Sequence, residues 1–139
     1  MNYKWLLLLF ISFNVAAQDI LKDTRATKRF SQQLMDQISA NQLDAAFGEL
    51  KNHWPMAEGE LDTLLEHTKK QRGLANARFG TPIGSEFVKV ESVGNSLIRY
   101  TFLERFKYHA LRWQFAFYHS DDRWVVNSVY WDDRISDLY

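Results

Sequence analysis

Leu97-Ile98-Arg99-Tyr100-Thr101-Phe102-Leu103-Glu104-Arg105-Phe106, then Lys107-Tyr108-His109, then Ala110-Leu111-Arg112-Trp113-Gln114-Phe115-Ala116-Phe117-Tyr118-His119: two runs rich in aromatic side chains flank a short polar break. Aromatic and β-branched residues suit the pleated surface of a sheet. A break this short joins neighbouring strands antiparallel. Side chains alternate between the faces of a strand, so Ile98, Tyr100, Phe102 and Phe106 share a face with Leu111, Trp113, Phe115 and Phe117. A two-residue turn at Tyr108-His109 would pair Phe106 with Leu111 and Phe102 with Phe115.

Two further strands extend this hairpin. Glu86 to Val93 precedes it across Gly94-Asn95-Ser96, with Val90 paired to Tyr100 and Glu91 opposite Arg99. Arg123 to Asp132 follows it across Asp121-Asp122, with His119 paired to Trp124 and Phe117 to Val126. The apolar face then gains Val88, Val90, Trp124 and Val126. The opposite face carries Lys89, Glu91, Arg99, Thr101, Arg105, Arg112, Gln114 and Asn127, interleaved with Leu103, Tyr118, Val129 and Trp131.

Upstream of Gly80 the apolar spacing is helical. Phe30, Leu34 and Ile38 form one stripe with Met35 beside it. Leu43, Ala46, Phe47, Leu50 and Trp54 form a second, with Asn41 as its cap and Pro55 as its stop. A third helix is expected from about Glu58 to Arg72, with Leu61, Leu64 and Leu65 inward and Gly73 at its C-terminal end. Phe79 to Gly84 reads as a connecting loop. The sum is an α+β domain: N-terminal helices packed on a curved four-stranded antiparallel meander.

The start of the chain has a different character. One lysine, Lys4, precedes an apolar run from Trp5 to Phe13, and Val15 and Ala17 supply the small residues that signal peptidase accepts. The run is shorter than the ~20 residues a membrane span needs. Residues 1–17 are therefore expected to be a cleaved signal peptide and 18–139 a single domain, periplasmic or secreted, with no membrane attachment after cleavage. The chain has 17 basic and 17 acidic side chains, which argues against a nucleic-acid surface. It has no cysteine, so neither disulfides nor a thiol nucleophile are available. No phosphate-binding glycine loop or nucleophile elbow occurs, and His53, His67, His109 and His119 lack zinc-site spacing. No metal or cofactor is expected.

Helices followed by an aromatic meander resemble the nuclear transport factor 2-like (cystatin-like α+β) superfamily. The residues that carry the likeness are Asn41-Gln42-Leu43-Asp44-Ala45-Ala46 at the second helix start and Ser120-Asp121-Asp122-Arg123-Trp124-Val125-Val126 at the last turn. The likeness is to small exported bacterial members. It implies a cone between helices and sheet, and association through the outer sheet face. The tyrosine and aspartate pattern of ketosteroid isomerases is missing, so no catalytic residue carries over.

Two functional readings follow. Glu104 falls on the apolar face, where desolvation would raise its pKa and suit it to act as a base, with Tyr100 or Tyr130 as hydrogen-bond partner in an isomerase- or hydrolase-like site. Trp54, Trp113 and His119 are the candidates to line a ligand pocket in the cone. In the second reading the protein is a non-catalytic binding or interaction module. Arg99, Arg112, Gln114, Tyr118 and Trp131 then form a mixed outer patch for a homodimer or a periplasmic protein partner. An interior pocket of about 300 Å³ with Glu104 in its wall favours the first; a filled interior favours the second.

Overall fold

The computed structural model describes residues 19–139, so the expected signal segment lies outside the described residues. Three helices, α1 (Thr24–Ser39), α2 (Leu43–His53) and α3 (Glu58–Phe79), precede four strands, β1 (Pro82–Val93), β2 (Leu97–Phe106), β3 (Ala110–His119) and β4 (Trp124–Asp132). The strands pair antiparallel in the order β1-β2-β3-β4. This is the expected α+β arrangement, helices first and sheet second. Among the described residues no helix is long and apolar enough to cross a membrane.

Asp23 starts α1: its Oδ1 accepts the Ala26 N–H at 2.7 Å. Leu34, Met35 and Ile38 then leave water entirely. Asn41 does not cap α2 as expected. Its backbone is left-handed, at φ 60°, and Gln42 occupies the cap position without a side-chain bond. Asparagine tolerates this conformation because its short polar side chain bonds locally. Gly73 does not end α3 either. The helix runs on to Phe79, and Gly80 turns the chain at φ 86°. Strand β1 starts at Pro82, inside the stretch expected as a loop.

Four pairings match expectation: Val90 faces Tyr100, Glu91 faces Arg99, Phe117 faces Val126 and His119 faces Trp124. The central hairpin is displaced by two residues. Phe102 pairs with Trp113 and Glu104 with Leu111, because residues 106–109 form a longer loop closed by Phe106 N–H to the His109 carbonyl at 2.8 Å. A shift of two preserves the faces. Two bulges do not preserve them. Pairing jumps from Phe87 to Lys89 and from Val126 to Ser128, leaving Val88 and Asn127 as extra residues. Phe87 thereby joins the helix-facing side against Phe102, ring to ring at 5.6 Å. Val129 and Trp131, expected outside, turn inward opposite Phe115 and Trp113, and Tyr130 turns outward opposite Gln114.

The core between helices and sheet is aromatic. Phe102, Phe115, Phe117 and Phe47 are buried with Leu34, Met35, Ile38 and Leu50. Phe102–Phe115 and Tyr100–Phe117 meet edge to face at 5.9 and 6.0 Å, a geometry favoured by ring quadrupoles.

The two glycines bounding the end of α3 should respond oppositely to alanine. Gly73 is helical, exposed and has nothing within 4 Å of an added Cβ, so Gly73→Ala should stabilise the fold by roughly 0.5–1 kcal/mol. Gly80→Ala should cost roughly 1–3 kcal/mol, because its φ is positive and the new Cβ would sit 3.0 Å from Lys107 Cβ. Urea unfolding of both variants checks this. A Gly73→Ala midpoint below that of the parent contradicts it.

Candidate functional site

Glu104 lies on the inner face of β2 near its C-terminal end, opposite Leu111, and is fully buried. A carboxylate there requires partners, since burying an unpaired charge is costly. Arg72 of α3 supplies them. Its Nη1 donates to Glu104 Oε2 at 2.8 Å and its Nη2 donates to Oε1, a two-pronged pair with side chains 4% and 0% exposed. Trp113 Nε1 adds a third donor, to Oε2 at 2.9 Å. Arg72 has work left over: Nη2 donates to the Ile38 carbonyl at 2.8 Å and Nε to Asn41 Oδ1 at 3.2 Å, while the guanidinium lies 5.7 Å above the Phe106 ring. The left-handed turn at Asn41 is what presents that oxygen. One guanidinium thus joins α3 to the end of α1, the turn before α2, and strand β2.

Both carboxylate oxygens are engaged, the side chain is fully buried, and Glu104 lines none of five grooves of about 170 to 790 Å³ among the described residues. Tyr100 lies four residues away on the same strand, roughly 13 Å at ~3.3 Å per residue. Its hydroxyl donates to the Thr24 carbonyl at 2.9 Å and meets Thr27 Oγ1 at 2.9 Å, tying β2 to the start of α1. Burial pushes the Tyr100 pKa up, opposed by the Thr27 bond. Tyr130 lies on the outer face, so the structure does not bring Glu104, Tyr100 and Tyr130 together.

The three pocket candidates also separate. Trp113 is buried, stacked on Phe115 and on Trp131 at 6.2 and 5.4 Å. His119 stacks on Trp124 at 4.7 Å. Trp54 is buried beside a groove of about 190 Å³ that it shares with Trp124 but not with Trp113 or His119. A groove of about 170 Å³ between α3 and β4 touches Trp113.

On the outer face Arg99, Gln114 and Tyr130 do converge, with Glu91, Val93 and Leu97, around a groove of about 580 Å³. Arg99 donates to Glu91 at 3.0 Å, and Gln114 to Thr101 at 3.3 Å. Tyr118 stands exposed opposite Leu97. Arg112 is committed elsewhere: it holds Asp132 through two bonds of 3.0 and 2.6 Å, and Arg134 joins the same carboxylate. Burial pushes Asp132 up, but the bonds from Arg112 and Arg134 prevail and hold its pKa at about 2. Trp131, turned inward, is not part of this patch.

Sequence reasoning missed Arg72. The available signal was its spacing: Leu61, Thr68, Arg72 and Ala75 are the buried residues of α3 and form one helical stripe. Among the described residues no three acidic or histidine side chains converge into a metal cage. No family model, no curated protein and no solved structure matches this chain. The fold and the buried node therefore define it only as an α+β domain with an internally saturated acid.

Removing either partner alone, by Arg72→Met or Glu104→Gln, should destabilise by roughly 3–5 kcal/mol, because the survivor is left buried and unpaired. Arg72→Met/Glu104→Leu should cost clearly less than the two singles summed. Additive losses in urea unfolding contradict a coupled pair. A pH effect comes from His53, which lies edge-on to Phe30 at 4.8 Å. Burial lowers its pKa below 6.5, against the attraction of Glu49 and Asp19. The folded state then binds fewer protons than the unfolded one, so stability is full above pH 6.5 and declines as pH falls toward the folded-state value. His53→Gln should remove this component. Midpoints of variant and parent that fall in parallel from pH 7.5 to pH 5 rule it out.

Proposed function

We propose that this chain is a non-catalytic binding or protein-interaction module of nuclear transport factor 2-like architecture, acting outside the cytoplasm through the outer face of its sheet. The contrast between the two sheet faces carries the reading. The inner face is packed with aromatic rings, and its acid is consumed by Arg72 and Trp113. The outer face presents exposed Val93, Leu97, Tyr118 and Tyr130 beside Glu91, Arg99 and Gln114. Aromatic and arginine side chains among neutral polar groups are the composition of protein contact surfaces. The element order supports the superfamily assignment. Lys4, the apolar run to Phe13 and Ala17 support export, and the absence of cysteine suits a periplasmic home.

The partner is a second copy or another periplasmic protein. An enzymatic role for Glu104 with Tyr100 or Tyr130 has no supporting geometry, since the three groups are dispersed and Glu104 is fully buried with both oxygens engaged. Light scattering tests the surface. A mass of two chains is expected at high concentration, and Tyr118→Asp with Leu97→Asp should return it to one. A strictly monomeric mass up to millimolar concentration overturns self-association through this face.

A further inference from the structure

Ahead of α1 the chain runs as a narrow strap, Asp19 to Lys22, against the end of α2 and the start of β4. Leu21 is its anchor. It is 6% exposed, belongs to the core, and forms an isolated antiparallel bridge with Trp124, whose N–H donates to the Leu21 carbonyl at 2.8 Å. Strand β4 is the edge of the sheet, so the strap takes up part of an otherwise open rim. Grooves remain on both sides of it. One, of about 190 Å³, is bounded by Trp54, Pro55 and Arg123. The other, of about 790 Å³, is bounded by Ala26, Arg29 and Phe30. Asp19, Ile20 and His53 border both.

We propose that the strap occupies in cis a docking site for an extended segment of a partner protein, which displaces it and adds to the edge of β4. Strand addition of this kind draws affinity from main-chain bonds and specificity from pockets for alternate side chains. The strap itself defines the chemistry the site accepts: a branched apolar residue in the Leu21 pocket, a second one before it, and an acidic residue placed, as Asp19 is, on the groove that holds Arg123. Two features make it displaceable. It is held by a single bridge rather than a ladder. Its departure leaves α1 intact, because Asp23 caps that helix independently. A longer incoming segment would also fill the two grooves that the strap leaves open. The site lies apart from the outer-face groove and does not rest on the function proposed for that face.

The probe is a fluorescein-labelled peptide with the sequence Gln18 to Asp23, titrated into the full chain by anisotropy. Leu21→Ala weakens the resident strap and should bind the peptide at least about tenfold more tightly than the parent does. Hydrogen exchange of the parent gives a second reading that needs no variant. The Trp124 amide should exchange at least about tenfold faster than the amides of Phe115 and Phe117, because the strap opens without global unfolding. A folded Leu21→Ala that binds no better than the parent overturns the proposal, as does a Trp124 amide protected like those of β3. If Leu21→Ala fails to fold, the exchange comparison alone decides. A two-chain mass abolished by Leu21→Ala would assign the site to a second copy and overturn a foreign partner.

Discussion

The ion pair between Arg72 and Glu104 constrains the rest of the molecule. Neither group reaches water, so neither can drift from the other without leaving an uncompensated charge inside an aromatic core. The pair therefore fixes where α3 crosses the sheet. The same guanidinium binds the Ile38 carbonyl and Asn41, so it also sets the end of α1 and the turn into α2. On the other side Trp113 donates to Glu104, which orients the ring that Phe115 and Trp131 stack upon. Hydrophobic burial is non-directional and would tolerate small slides of helix over sheet. The hydrogen bonds of this node are directional, and they select one arrangement.

Much of the fold was legible because period-two alternation survives errors of even size. The central hairpin was misjudged by two residues, yet Phe102, Phe115, Trp113 and Glu104 kept their faces. The bulges at Val88 and Asn127 were not legible. Each inserts one residue without a glycine or proline to mark it; the first flips the residues before it, Phe87 among them, and the second flips those after it. That is why Trp131 was placed outside and Tyr130 inside. The site was legible by half. An acid on an apolar face announced Glu104, but its partner sits 32 residues earlier on a long helix that buries few of its residues. Asn41 looked like a cap because cap residues and left-handed residues share the same short polar side chains.

This node also separates architecture from function. An acid poised for chemistry needs a free lone pair facing a space that substrate can enter. Glu104 has its oxygens committed to three donors and is fully buried. The residues free to meet another molecule are those the alternation sends outward, where Arg99, Gln114 and Tyr130 surround a groove. With no disulfide available, the interior must supply the stability by itself. A core filled with rings serves that end better than a cavity, since voids forfeit contacts.

The two edges of the sheet are treated differently, and the difference bears on which one is built to be used. A free strand edge invites unwanted pairing, and proteins blunt it with bulges and charges. At β1 the strand's own residues do this. Pairing shifts at Gly84 and Val88 bend the strand, and Glu86, Lys89 and Glu91 line it. These features cannot be withdrawn. At β4 the bulge at Asn127 lies within the strand, and its first residue is covered by Leu21 through one bridge. A strap held by one buried side chain and one main-chain bond is a cover that local opening can remove at far lower cost than unfolding the sheet. Permanent blunting at one edge and removable cover at the other make β4, not β1, the edge at which a partner strand can be accommodated.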